Sequence, residues 1–158
     1  MKKELIVLGA DHGGFRLKQT IKRFFIEQEY DIIDTSPSKV PGDDYPDYAL
    51  KVSDIVKKKR NYIGVLICKT GTGMAMAANK VSGIRAVLAH DEHSAKMARK
   101  DENANVLCLP GNYKDKDAIK FTKIFLKTKF SGQTRHKRRI RKLANILDLN
   151  KKFDSNKK

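Results

Sequence analysis

The sequence predicts an α/β protein: a five-stranded parallel sheet covered by helices on both faces, with one further helix at the C-terminus. Three observations carry that reading. Short apolar runs of strand length alternate with segments whose apolar residues recur at helical spacing, and the alternation returns five times. One such run passes through Cys68 into the Gly-punctuated turn Lys69-Thr-Gly-Thr-Gly73 and then into a helical segment, the order of a strand-end loop in such sheets. At 158 residues the chain has the size of one domain and is long enough to bury a core.

In chain order, the apolar run Leu5–Ala10 reads as a buried strand, and 15–28 follows as a helix because Leu17, Ile21, Phe24 and Phe25 share one face. Residues 30–34 form the second strand. The second helix, 45–59, opens near Pro46, where a proline's missing N–H is harmless. Tyr62–Cys68 is the third strand and 74–80 its helix; strand 84–89 precedes helix 93–103, and strand 106–109 precedes helix Asp115–Lys127. A basic helix at about 136–147 extends past this unit, so that one domain covers 1–149, and 150–158 reads as a disordered basic tail. The loop 35–44, rich in Ser, Pro, Gly and Asp, is the one long connection and reads as a mobile lip.

In an open parallel sheet the ligand sits beyond the C-terminal strand ends. That rule gathers Asp11 and His12 from the first strand, Cys68 and Thr70 with their glycines from the third, and Asn112 with Tyr113 from the fifth. The opening turn of a helix carries N–H donors without intrahelical partners, so an oxyanion or phosphate is favoured there, and a thiol at that place ionises more readily. A lone strand-end Asp or His is more often a turn residue or a helix cap. Convergence of Asp, His, Cys and Thr at neighbouring strand ends reads instead as a site.

The net charge of +16 is uneven: residues 1–110 carry 18 basic against 14 acidic side chains, whereas 111–158 carry 16 against 4. No aromatic platform interleaves with those lysines, so they read as a solvated face and argue against nucleic acid as a partner. Cys68 and Cys108 have neither C-x-x-C spacing nor a neighbouring histidine, which speaks against a disulfide framework or a metal site. The apolar runs are too short for a signal-peptide core or a membrane span, so the expected location is the cytoplasm.

Six segments, Gly9-Ala-Asp-His-Gly-Gly14, Asp44-Tyr-Pro-Asp-Tyr48, Cys68-Lys-Thr-Gly-Thr-Gly73, Ala77-Ala-Asn-Lys80, Gly83-Ile-Arg-Ala86 and Arg135-His-Lys-Arg-Arg139, closely resemble the type B ribose-5-phosphate isomerases and the galactose-6-phosphate isomerase subunits, in the same order over about residues 4–147. The resemblance implies a Rossmann-like fold, no cofactor and no metal, and a homodimer or dimer of dimers with sites between subunits. It also implies a sugar-phosphate substrate, interconverted between aldose and ketose through an enediolate. By position, it makes Cys68 the base that moves the proton between C1 and C2. Asp11 and His12 match residues that hold the sugar, Thr70 with Gly71, Thr72 and Gly73 the loop that binds the enediolate, and Arg135, His136 and Arg139 the cluster that takes the phosphate. These residue types suit the chemistry, since a carbon acid needs a base within reach, donors aimed at the developing oxyanion, and guanidinium forks for a phosphate dianion.

Three positions depart from the pattern. Asp101-Glu102 stands where the family has a His-Asn pair that opens the sugar ring and binds a hydroxyl, Asn112 where an arginine often follows the fifth strand, and Lys69 where a glycine follows the cysteine. A carboxylate is a poorer acid than imidazole at neutral pH, so Asp101 serves in ring opening only if its pKa is raised. Two other readings stay open: a histidine-lacking subunit of a heteromeric hexose-6-phosphate isomerase, and a non-catalytic sugar-phosphate or nucleic-acid binding relative.

Overall fold

The computed structural model describes residues 4–155. Strands β1 (Leu5–Ala10), β2 (Ile32–Asp34), β3 (Tyr62–Cys68), β4 (Ala86–Leu88) and β5 (Val106–Pro110) form one parallel sheet in the order β2-β1-β3-β5-β4. Helices α1 (Phe15–Glu27), α2 (Tyr45–Val56), α3 (Thr72–Ala78), α4 (Glu92–Lys100) and α5 (Asp115–Lys127) connect and follow the strands, and α6 (Thr134–Ser155) comes last. This is the parallel α/β architecture expected from the alternating pattern, and the Rossmann-like fold that the resemblance implies. Among the described residues no helix is long and apolar enough to cross a membrane.

Because strands alternate faces, each contributes to two cores. Ile6, Leu8, Ile67 and Leu107 pack with Leu17, Ile21 and Phe25 of α1, Ala95 of α4 and Phe125 of α5. Val7, Leu66, Cys68 and Cys108 face the other way, onto Val52 of α2 and Met74 of α3. So α1 and α2 lie on opposite faces while β2 and β3 flank β1 on opposite sides. The chain direction splits at the β1/β3 boundary, which opens a crevice at the C-terminal ends of those two strands.

Several ends differ from the periodicity. Strand β2 starts at Ile32 rather than residue 30, because Glu29 takes φ +58° and the Tyr30 N–H returns to the Phe25 carbonyl. Helix α4 ends at Lys100 rather than 103: Asn103 adopts φ +47° and the Ala104 N–H bonds back to Ala98, closing the helix with a left-handed residue. Asp101 and Glu102 therefore sit in a turn. Helix α2 stops at Val56, and α3 begins two residues earlier than the apolar spacing suggests, at Thr72. The last helix corrects the expected boundary most: α6 continues through Leu147 to Ser155, whereas a disordered tail was expected from 150, because no Gly or Pro follows Gly132 to stop it. Residues 156–158 of that expected tail lie outside the described residues.

Lys18, wholly buried on α1, places its Nζ 2.8 and 2.9 Å from the two carboxylate oxygens of Asp34 at the end of β2, and also donates to the Ser36 carbonyl. Asp34 receives Lys22 Nζ and the Ser36 N–H as well, both at 3.0 Å. Burial pushes the Asp34 carboxyl up, but the hydrogen bonds from Lys18, Lys22 and Ser36 outweigh it and hold the group below the usual carboxylate range. Its contribution to stability is present above the ordinary carboxylate pKa and is lost as pH falls through the lower folded value. Asp34→Ala is expected to cost about 3–5 kcal/mol in urea unfolding at neutral pH, since it strands a buried ammonium. Lys18→Met should cost less, because Asp34 keeps Lys22, and the Asp34→Ala deficit should shrink in acid. Equal losses in the two variants would contradict this account.

Candidate functional site

The loop after β1 is built on the Asp11 carboxylate, whose Oδ1 accepts the N–H groups of Gly13 at 2.9 Å and Gly14 at 3.1 Å and so fixes the turn that leads into α1. Burial raises the Asp11 carboxyl above its ordinary range, and those two N–H bonds only partly offset it. Gly14 lies against the Ile67 carbonyl where any side chain would collide, and Gly111 lies equally close to the Gly13 carbonyl. The Gly111 N–H in turn donates to the Cys68 carbonyl at 2.8 Å. The loops following β1, β3 and β5 thus cross backbone to backbone at one spot.

Cys68 ends β3 at that spot, with 4 % of its surface exposed. Its Sγ accepts the N–H of Gly71 at 3.2 Å. Gly71 has φ +75° and is pressed against Leu88 and Leu109, so a side chain there would be strained and crowded at once. Thr70 and Thr72 flank it and are exposed, as is Lys69. Gly73 lies under the ring of Tyr45, which covers the first turn of α3.

His12 stands beside this turn. Its Nδ1 and its backbone N are each 2.8 Å from Oδ1 of Asp43. Tyr48 donates to the same carboxylate, and that bond, followed by burial, pushes the Tyr48 hydroxyl up to about 12. The sequence assigns no site role to Asp43, and Tyr45 and Tyr48 enter it only within the Asp44–Tyr48 segment. The available signal was the pairing rule for histidine: an imidazole at a strand end needs a carboxylate or carbonyl to set its tautomer, and loop 35–44 supplies acidic residues. That loop is anchored at its start too, with the Ala10 N–H donating to Ser36 Oγ at 3.0 Å.

Asn112 and Tyr113 follow β5 at this same end, where the Tyr113 hydroxyl donates to the Ala89 carbonyl at 3.2 Å, whereas Asp101, Glu102 and the residues of α6 lie at the other end of the sheet. Asp101 and Glu102 precede β5, whose Val106 is registered with Gly64, and the Gly64 N–H donates to the Asn105 carbonyl. Cys68 is four residues further along β3, about 13 Å of strand. Arg85 Nε holds the turn by donating to the Glu102 and Asn103 carbonyls at 3.1 and 2.9 Å. Helix α6 starts beside the same turn, and Ser131 ties in there through its N–H to the Lys100 carbonyl.

His136 is buried, with Nδ1 2.9 Å from Ser131 Oγ and 3.5 Å from Asp101 Oδ1. Arg135 Nε donates to His136 Nε2 at 3.1 Å, so that nitrogen is the acceptor and Nδ1 carries the proton. Both ring nitrogens are occupied, which leaves Arg135 and Arg139 as the exposed cations of the cluster. Beyond them α6 lines a groove of about 440 Å³ with Ile84, Ala86, Val87 and Glu102, yet Leu143 and Ile146 remain 49 % and 52 % exposed. Leu147, the next member of that apolar stripe, has a side chain outside the described residues. One chain therefore carries these residues in two separate groups: Asp11, His12, Cys68, Thr70 and the Gly71-Thr72-Gly73 turn at the C-terminal end of the sheet, and Asp101, Glu102, Arg135, His136 and Arg139 at the other end. Among the described residues no group of three or more His, Cys, Asp or Glu side chains could hold a metal ion.

Residues 6–143 match the family model described as ribose/galactose isomerase. A Mycoplasma genitalium protein named probable ribose-5-phosphate isomerase B is 43 % identical over 141 residues, covering 87 % of this chain and 92 % of that one. The solved structure of ribose-5-phosphate isomerase B from Mycoplasma genitalium with bound ribulose-5-phosphate superposes with a TM-score of 0.85 at 42 % identity, over 90 % of this chain and 95 % of that one. A ribose 5-phosphate isomerase from Thermotoga maritima superposes with a TM-score of 0.87 at 37 % identity, over 91 % of this chain and 99 % of that one. With its glycine-built strand-end turn, its thiol and its basic C-terminal helix matched from Ile6 to Leu143, this chain belongs to the ribose/galactose isomerase family.

Proposed function

We propose that this chain is an aldose–ketose isomerase that interconverts ribose 5-phosphate and ribulose 5-phosphate, and that it works as a homodimer in which each site joins the Cys68 end of one subunit's sheet to the Arg135 cluster of the other. The observation that carries the reading is the thiol at the β1/β3 crevice with an N–H donor on its sulfur, on a chain of this family. In the open-chain aldose, the Cys68 thiolate takes the proton from C2, leaving an enediolate. Return of a proton to C1, with the O2 proton passing to O1, gives the ketose. The Thr70 hydroxyl and the N–H groups of Thr72 and Gly73, which open α3 without intrahelical acceptors, suit the charge that develops on oxygen.

Arg135 and Arg139, four apart on α6, share a face and present two guanidinium groups to a phosphate, with His136 holding Arg135 in place. The exposed apolar stripe of α6 supports the dimer, since an isolated chain leaves Leu143 and Ile146 in water. Both cysteines are free and buried, in keeping with a reducing compartment, and we place the enzyme in the cytoplasm.

Purified protein should interconvert the two pentose phosphates in a coupled assay, and no turnover in either direction would overturn the reading. Asp101 marks a second test. Ribose 5-phosphate is mostly ring-closed, whereas ribulose 5-phosphate cannot close a five-membered ring, so a weak ring-opening group limits only the aldose direction. The rate from ribose 5-phosphate should level off as enzyme is added, at the spontaneous rate of ring opening, while the rate from the ketose stays proportional to enzyme. Asp101→His should remove that plateau by supplying an imidazole able to shuttle protons near neutral pH. A plateau unchanged in Asp101→His would remove Asp101 from the mechanism.

A further inference from the structure

We propose that Asp43 is the positioning residue of His12, fixing which ring nitrogen faces the sugar phosphate. The proposal rests on the isomerase reading for its kinetic consequence but not for its structural one. A single carboxylate oxygen grips His12 twice, at the backbone N and at Nδ1, each at 2.8 Å. Main chain and ring are therefore held by the same atom. The carboxylate is nearly covered, its side chain 10 % exposed, while the imidazole above it is 48 % exposed.

Tyr48, from the first turn of α2, fills a further position on Asp43 with its hydroxyl proton. Burial works against the charge on Asp43, but the donors from His12 and Tyr48 outweigh it and keep the carboxyl below its usual range. An ionised carboxylate only accepts hydrogen bonds, so the proton between the two groups sits on Nδ1. The neutral imidazole of an unconstrained histidine prefers the opposite tautomer, with the proton on Nε2. Asp43 thus inverts the ordinary preference and leaves Nε2, which has no partner among the described residues, as the nitrogen turned to a ligand: an acceptor when the ring is neutral, a donor when it is protonated.

A purely structural role for Asp43 is the alternative. Among the described residues Asp43 otherwise makes one hydrogen bond, from its own N–H to the Val40 carbonyl, so the contact also closes the far end of loop 35–44. The two roles separate in nitrogen NMR of the protein labelled with ¹⁵N-histidine, the His12 signals being assigned by their disappearance in His12→Gln. The wild type should show His12 as the Nδ1–H tautomer above its titration range, and an Nε2–H tautomer there would overturn the proposal outright. Asp43→Ala should return His12 to Nε2–H and lower kcat/KM per folded enzyme by about 10- to 100-fold, the range found when a partner that orients an imidazole is lost.

Asp43→Asn should behave differently. The His12 backbone N–H selects the amide oxygen of the new side chain rather than its NH₂, so the acceptor for Nδ1–H survives, and both the tautomer and most of the activity should be kept. An Asp43→Ala protein that unfolds more easily but keeps the Nδ1–H tautomer and wild-type kcat/KM would show a loop tie and nothing more. Absence of isomerase activity in the wild type would sink the isomerase reading instead, with the tautomer measurement still deciding the role of Asp43.

Discussion

Cys68→Ala is expected to lower kcat at least about a thousandfold with either pentose phosphate, the upper part of the range for loss of a general base. The expectation follows from what else lies at the end of β3. Thr70 and Thr72 are exposed hydroxyls, far too weakly basic to take a carbon-bound proton at neutral pH. Asp11 is buried with its Oδ1 committed to the Gly13 and Gly14 N–H groups. If Cys68 both removes the proton from C2 and supplies it to C1, the loss should be equal in the two directions. Exchange of deuterium from solvent into C1 of ribulose 5-phosphate should vanish with it, and that exchange reports the proton step without any contribution from ring opening. The Cys68 side chain sits in the α2/α3 core, so Cys68→Ser, which keeps an acceptor for the Gly71 N–H, serves as the folded control. Substantial exchange in either variant would move the base to another residue.

The parts of this molecule that are local in sequence were legible before the fold was known. Leu5–Ala10 and Tyr62–Cys68 are unbroken apolar runs because both faces of the central strands are covered, and Gly71 marks its turn because only glycine accepts φ +75° against Leu109 without strain. What stayed hidden depends on contacts distant in sequence. Nothing in the order of the strands along the chain puts β5 between β3 and β4; Gly64 meeting Val106 and Cys68 meeting Pro110 does. The end of α4 is set by Asn103, which turns left-handed to bring Ala104 back onto Ala98, and apolar spacing carries no trace of that. Asp43 was passed over for a similar reason. In sequence it is one acid in a Ser/Pro/Gly/Asp loop, and only the fold brings it 31 positions back to His12.

The same nonlocality makes the strongest test of assembly. The Asp101–Asn105 turn lies at the start of β5 and Cys68 at the end of β3, so within one chain Cys68 and the Arg135–Arg139 cluster lie at opposite ends of a parallel sheet. If one site needs both groups, two subunits must supply them. Cys68→Ala and the double variant Arg135→Ala, Arg139→Ala should each be nearly inactive as homodimers, the first in kcat and the second through a large rise in KM. Co-expressed with different tags, they should regain activity. In a mixed dimer one site inherits Cys68 from one subunit and both arginines from the other, while the second site inherits neither. Random pairing makes half the dimers mixed and leaves half of their sites intact, so recovery should approach about one quarter of the wild-type rate. Mixed dimers isolated through both tags should reach about half of it, with a wild-type KM. No recovery in tag-purified mixed dimers would mean that each chain completes its own site, and the arginines would then have to be sought outside the phosphate subsite.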